Sequence, residues 1–116
     1  MADFVEVGKI SEFTESTMKG IPLQGQKILL AYIGGKYYAA QGRCPHMGGI
    51  LSHGKLAGTI VTCPRHKSQF DLKDGKVIRW MKGTGLAAAI GKILKHPRNL
   101  KIYEVKVENG KIFVKI

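Results

Sequence analysis

Short stretches in which apolar and polar residues alternate recur along the chain, and two-residue turns that contain glycine separate several of them. The turns are Gly34-Gly35, Asp74-Gly75 and Asn109-Gly110. They lie between the segments 26–33 and 36–40, 69–72 and 76–80, and the two halves of the C-terminal 105–114 stretch. Such dipeptides are typical of two-residue loops between antiparallel strands. We therefore predict three β-hairpins.

The C-terminal hairpin has a register that the sequence itself supports. A two-residue loop at Asn109-Gly110 pairs Val107 with Ile112 and Val105 with Val114, so these apolar side chains share one face. Upstream, the apolar alternation changes phase near Tyr103-Glu104, which predicts a β-bulge.

Further apolar segments at 4–7 and 59–62 add strands to these hairpins. Several short strands joined by tight turns indicate an all-β sandwich or a small barrel. One segment departs from this pattern: after Thr84, apolar residues recur at helical spacing over 86–94, and Pro97 ends the run. We predict one short inserted helix there, packed on the sheets or docked on a partner or a membrane.

The length of 116 residues and the hydrophobic content of 44% fit one globular domain, 1–116. The apolar run at 28–33 is far shorter than the ~20 residues that a membrane-spanning helix needs. Acidic residues at Asp3 and Glu6 are unlike a signal peptide. We expect a cytoplasmic protein with no membrane span.

The formal net charge of +11 arises from 19 Lys+Arg against 8 Asp+Glu. The basic residues are spread along the chain in no run longer than one, which is more typical of a solvated basic surface than of a nucleic-acid site. We expect acidic protein partners and no nucleic acid.

Two short clusters each pair one cysteine with one histidine: Cys44 with His46, and Cys63 with His66. In a cytosolic chain, cysteines in such clusters are more typical of metal ligation than of a disulfide. Zinc is one possibility, although zinc fingers group their cysteines and histidines separately. The alternating order suits an iron–sulfur centre in which two cysteines hold one iron and two histidines the other.

At these residues the sequence resembles the Rieske family, whose Cys-x-His and Cys-Pro-x-His pattern is matched at Cys44, His46, Cys63, Pro64 and His66. The resemblance covers most of the chain apart from the helical segment. It implies an antiparallel β-sandwich of three sheets, with a small cluster-binding subdomain at about 42–81. It also implies one [2Fe–2S] cluster per chain, with those two cysteines and two histidines as metal ligands.

The sequence departs from the family members of respiratory and photosynthetic complexes. Those members carry an extra cysteine in each ligand loop, joined in a disulfide, and a membrane anchor. Here Gly49 and Arg65 stand at the cysteine positions. The chain therefore resembles the soluble Rieske ferredoxins, and its lysine-rich, disulfide-free character is similar to archaeal members such as sulredoxin.

Residues after the second ligand histidine are expected to tune the cofactor. Lys67 brings a cation close to it, and Ser68 matches a serine that donates a hydrogen bond to a bridging sulfide in high-potential relatives. Phe70 stands where those relatives have a tyrosine that donates to a ligand cysteine. Trp80 and Met81 are candidates for covering the cluster, although a core position is the more typical place for a residue such as Trp80.

The resemblance implies a one-electron carrier that passes electrons from a reductase to an oxygenase or another redox enzyme. The chain itself is expected not to be an enzyme, because only His53 and His96 remain for a second iron site and neither has paired carboxylates nearby. Two alternatives stay open. One is a small Rieske subunit of a larger oxidoreductase complex, with 86–94 as its docking helix, and the other is a module that binds zinc or nucleic acid.

Overall fold

The computed structural model describes residues 4–45, 49–64, 67–79 and 99–116. Within these ranges the strands are β1 (Phe4–Lys9), β2 (Thr17–Leu23), β3 (Gln26–Ile33), β4 (Lys36–Gln41), β5 (Lys55–Ala57), β6 (Ile60–Thr62), β7 (Gln69–Asp71), β8 (Val77–Arg79), β9 (Ile102–Glu108) and β10 (Lys111–Lys115). Two single turns of 3₁₀ helix, Ile10–Glu12 and Leu51–His53, accompany them. The expected all-β fold is confirmed. The helix predicted at 86–94 lies outside the described residues.

All the strand pairs are antiparallel, and they form two sheets. The larger sheet has the order β1-β10-β9-β4-β3-β2, and the smaller has the order β5-β6-β7-β8. The larger sheet consists of two three-stranded halves that meet where β4 pairs with β9, at Ala39 with Tyr103 and Ala40 with Ile102. The described strands thus form two sheets and not the three expected, because this short pairing joins two of the expected sheets into one.

Two of the predicted hairpins have the expected geometry. At Gly34-Gly35, Ile33 pairs with Lys36. At Asn109-Gly110, Glu108 pairs with Lys111, and the two turn residues have φ of 52° and 74°. Positive φ at both positions is what a type I′ turn requires.

The predicted two-residue turn at Asp74-Gly75 is wrong. The Asp71 amide donates to the Lys76 carbonyl at 2.9 Å, so the loop spans 72–75. Leu72 explains the longer loop, because its side chain is buried and its amide donates to the Thr59 carbonyl at 2.8 Å. The chain therefore follows β6 for one residue more before it turns.

Buried apolar side chains form two cores on opposite sides of β3 and β4. The cysteine core comprises Leu29, Ala31, Ala40, Cys44, Leu51, Val61, Cys63, Phe70, Leu72 and Leu100. The sheet core comprises Phe13, Ile28, Leu30, Ala39, Tyr103, Ile112 and Val114. Alternate residues of β3 thus enter different cores, which explains why this strand is apolar almost throughout.

The bulge predicted near Tyr103-Glu104 is also wrong, because β9 pairs with β10 in an unbroken register from Glu104 to Glu108. The change of apolar phase has another cause. Ile102 packs on the cysteine core, whereas Tyr103 and Val105 pack on the sheet core. One strand therefore serves both cores from its opposite faces. Among the described residues, no helix is long and apolar enough to cross a membrane.

Candidate metal centre

Cys44 lies at the start of a loop that follows β4, and hydrogen bonds close this loop at its base. The Cys44 amide donates to the Gly49 carbonyl at 2.8 Å, and the Leu51 amide donates to the Gly42 carbonyl at 2.9 Å. Arg43 and Ile50 face each other as an isolated antiparallel bridge. The backbone on both sides of Cys44 is therefore fixed.

Cys63 follows β6 and begins a second loop with the same closure. Its amide donates to the Ser68 carbonyl at 2.8 Å, and its carbonyl accepts from the Lys67 amide at 3.2 Å. In both loops, the cysteine amide thus bonds to the carbonyl five residues further on. Lys67 has a φ of 62°, the left-handed conformation that turns the chain back toward β7.

The structure brings the two cysteines into one apolar environment. Cys44 is 3% exposed and Cys63 is 1% exposed, and both belong to the cysteine core. These two residues, both inside the described ranges, are not joined in a disulfide. Two buried thiols at the starts of two closed loops fit the cysteine half of a [2Fe–2S] site, since soft thiolates are the ligands that such clusters take.

The histidine half of the predicted ligand set, His46 and His66, lies outside the described residues, as do the predicted covering residues Trp80 and Met81. In the part of the chain that the structure describes, no group of three or more potential metal ligands occurs. The four-residue ligand set therefore stays a prediction.

The three predicted tuning residues follow Cys63 closely. Among the described residues, the one polar side chain that is buried belongs to Ser68, and it is fully buried. Burial of a hydroxyl costs free energy unless it is hydrogen-bonded. Phe70 is fully buried on β7 within the cysteine core, whereas Lys67 is exposed. Ser68 and Phe70 are therefore shielded from water together with Cys63.

We expect Ser68→Ala to lower the reduction potential and Phe70→Tyr to raise it, because a donor near sulfur stabilises the additional charge of the reduced state. For one electron, about 59 mV corresponds to about 1.4 kcal/mol, so a differential of about 1 kcal/mol shifts the potential by several tens of millivolts. Voltammetry of both variants, each with a full complement of iron, measures the effect. An unchanged potential in Ser68→Ala would mean that the Ser68 hydroxyl bonds elsewhere.

A cavity of about 280 Å³ lies beside Cys63. Its lining residues are His53, Gly54, Lys55, Thr62, Cys63, Pro64 and Lys67. Lys55 was not singled out from the sequence, because β5 comes next to Cys63 only through its pairing with β6. Three side chains that carry or can carry positive charge therefore surround the opening next to one cysteine.

Gly54 has a second role at this place. A Cβ atom on Gly54 would overlap the carbonyl oxygen of Thr62, the residue just before Cys63. The absence of a side chain therefore permits the backbone of the 51–54 turn to lie directly against the peptide that leads into Cys63.

Comparison with known proteins identifies the family. A model of the Rieske [2Fe-2S] domain matches residues 3–90. The ferredoxin component of the naphthalene 1,2-dioxygenase system of Pseudomonas putida is 28% identical over 111 residues, which cover 96% of this chain and 93% of that protein. The iron–sulfur subunit of the cytochrome b6-f complex of Chlorobaculum tepidum is 31% identical over 110 residues. The aligned part is 95% of this chain and 52% of that subunit.

A solved structure has the same fold. The ferredoxin of carbazole 1,9a-dioxygenase from Nocardioides aromaticivorans IC177 superposes with a TM-score of 0.78 at 19% identity, over 96% of this chain and 95% of that one. This similarity shows that the two chains share their fold. The family match over residues 3–90 includes both cysteine loops. The chain therefore belongs to the Rieske [2Fe-2S] domain family, and its cofactor is a [2Fe–2S] cluster.

Proposed function

We propose that this protein is a one-electron carrier, a ferredoxin that receives electrons from a reductase and delivers them to an oxygenase or another redox enzyme. The observation that carries the proposal is the pair of buried cysteines in one apolar core, each at the start of a loop that its own amide closes by a bond to the carbonyl five residues on. Relatives that match over nearly the full length of both chains are ferredoxin components of dioxygenase systems. Such a component carries electrons and is not itself the catalyst.

In this proposal Cys44 and Cys63 bind one iron, and His46 and His66 bind the other. A [2Fe–2S] cluster, when bound, supplies reversible uptake of one electron. The cysteine core keeps water away from both thiolates, and the two loop closures hold the cysteine backbones in place. The smaller sheet, β5 to β8, lies within residues 42–81, which supports a cluster-binding subdomain in that range of a single domain. We place the protein in the cytoplasm, where thiols stay reduced.

A redox titration of the purified protein tests the function. We expect two irons and two acid-labile sulfides per chain, uptake of one electron per chain, and full recovery of the visible spectrum over repeated cycles. A colourless protein with one zinc per chain would contradict the proposal.

The acidic character of the partners is supported by the charges around the cavity beside Cys63. His53, Lys55 and Lys67 line it, and none of the described residues in its lining is a carboxylate. A carboxylate of a partner would meet only neutral or positive groups at this opening. Complementary charge of this kind chiefly raises the rate of association and sets orientation, and it weakens with salt.

We expect Lys55→Gln and Lys67→Gln each to slow oxidation of the reduced protein by hexacyanoferrate(III) about twofold at low salt, since each removes one nearby attractive charge. Lys36→Gln is the matched control. It removes the same charge at the start of β4, and Lys36 is not among the residues that line the cavity beside Cys63. Lys36 lies five residues, or about 17 Å of strand, from Gln41 at the other end of β4, where the first cysteine loop begins. Stopped-flow measurement at low and high salt checks the effect. Equal slowing in all three variants would show that net charge, and not this opening, governs the rate.

A further inference from the structure

The side chain of Gln41 connects the first cysteine loop to β9. Gln41 is the last residue of β4 and precedes Cys44 by three positions. Its Nε2 donates to the Arg43 carbonyl at 2.8 Å, and its Oε1 accepts from the Lys101 amide at 2.8 Å. Its own backbone amide donates to the Lys101 carbonyl at 2.9 Å. One residue thus makes three hydrogen bonds at the point where the loop begins.

These bonds lie where the main-chain pairing between β4 and β9 ends. The two strands pair at Ala39 and Ala40, and Gln41 keeps one main-chain bond on this side, from its amide to the Lys101 carbonyl. The next amide, that of Gly42, faces β3 and donates to the Lys27 carbonyl at 2.7 Å. The Gln41 side chain therefore takes the place of a backbone carbonyl for the Lys101 amide. Together with the main-chain bond from the Gln41 amide, it extends the contact with β9 by one residue, to the end of β4.

The bond to Arg43 acts on the peptide unit that leads into Cys44. The carbonyl of that unit accepts from Gln41, and its N–H, which belongs to Cys44, donates to the Gly49 carbonyl at 2.8 Å. A peptide unit is planar, so hydrogen bonds at both its ends fix its orientation, and bonds in series strengthen one another. The direction in which Cys44 leaves the backbone therefore depends on Gln41.

We propose that Gln41 is a positioning residue for the cluster: its amide holds the Arg43–Cys44 peptide and anchors the first ligand loop to β9. This role rests on the proposed function, in which Cys44 is a ligand. It requires a donor and an acceptor on one side chain of this length. Leucine provides neither, and ionised glutamate keeps the acceptor for Lys101 but has no hydrogen to donate to Arg43.

Two variants and a matched control test the role. Gln41→Leu removes both side-chain bonds, and Gln41→Glu removes only the bond to Arg43. Gln26→Leu is the control, because Gln26 lines the same cavity as Gln41 and Arg43, while its side chain accepts from the Tyr103 hydroxyl at 3.4 Å. Each purified protein is mixed with a chelator at pH 8, and the loss of visible absorption is followed. Visible circular dichroism of the oxidised protein reports the cluster's surroundings.

We expect both Gln41 variants to lose the cluster at least fivefold faster than wild type, about the factor for one ordinary hydrogen bond, with altered visible dichroism. Gln26→Leu should stay within twofold, with unchanged dichroism. Wild-type rates and dichroism in both Gln41 variants would overturn the role, and so would equal acceleration in Gln26→Leu. Should Gln41→Leu fail to fold, Gln41→Glu decides alone. A wild-type protein that holds no cluster would instead overturn the proposed function on which the role depends.

Discussion

Replacing Cys63 with serine is expected to give a folded protein without visible absorption and with almost no bound iron. Serine oxygen is a harder and far more basic ligand than a thiolate, so it does not hold sulfide-bridged iron well. The loop closure at this position uses the Cys63 backbone amide, and serine preserves that bond. The fold is therefore expected to survive the change, and Cys44→Ser should behave in the same way. Iron and acid-labile sulfide analysis measures the loss.

His53→Ala is the control for this experiment. His53 is exposed and lines the cavity next to Cys63, yet the family pattern does not assign it to the metal. The variant should retain a full cluster. A colourless His53→Ala, or a Cys63→Ser that keeps the iron and sulfide of the wild type, would overturn the assignment of the ligands.

The second large effect is expected for Gly54→Ala. The added methyl group would overlap the Thr62 carbonyl oxygen, so the peptide entering Cys63 has to move. Overpacking against backbone costs about 3 kcal/mol, and here the displaced atoms belong to the ligand loop. We expect a lower melting temperature together with a large fall in iron per chain, measured on the protein as purified.

Gly58→Ala separates the two contributions. Gly58 lies in the turn between β5 and β6 with a φ of 58°, and a Cβ there meets no atom within 4 Å. Alanine should cost about 1–2 kcal/mol of backbone strain without displacing Cys63, so stability falls while the iron content holds. Equal iron loss in both variants would show that general destabilisation, and not displacement of the Cys63 peptide, empties the site.

The local parts of the fold could be predicted from the sequence. The turns at Gly34-Gly35 and Asn109-Gly110 are specified by their own dipeptides and by the alternation of neighbouring side chains. The turn at Asp74-Gly75 was mispredicted because burial of Leu72 next to β6 lengthens the loop. A contact with another strand overrode the local signal, and the dipeptide contains no trace of that contact.

In the candidate site, too, some residues could be predicted from the local sequence and others could not. The cysteines are visible in the sequence because their spacing from histidines is itself the signal. Neither the role of Gln41 nor the contact made by Gly54 could be predicted, because the atoms that each meets belong to another part of the fold. The partner of Gln41 is the Lys101 amide, 60 residues away in the sequence, and the neighbour of Gly54 is a backbone oxygen of β6. Glutamine is common at such places for many reasons, so no residue pattern marks Gln41. The family resemblance includes Gly54, but it does not say which backbone atom lies against it.

Electron paramagnetic resonance of the dithionite-reduced protein tests the central claim most directly, namely that Cys44, His46, Cys63 and His66 hold one [2Fe–2S] cluster. The claim predicts a signal from one unpaired electron per chain and, in pulsed experiments, strong coupling to two directly bound nitrogen nuclei. It also predicts that this signal disappears in Cys63→Ser and persists in His53→Ala. A reduced wild-type protein with no signal, or with a [2Fe–2S] signal that lacks strongly coupled nitrogen, would contradict it.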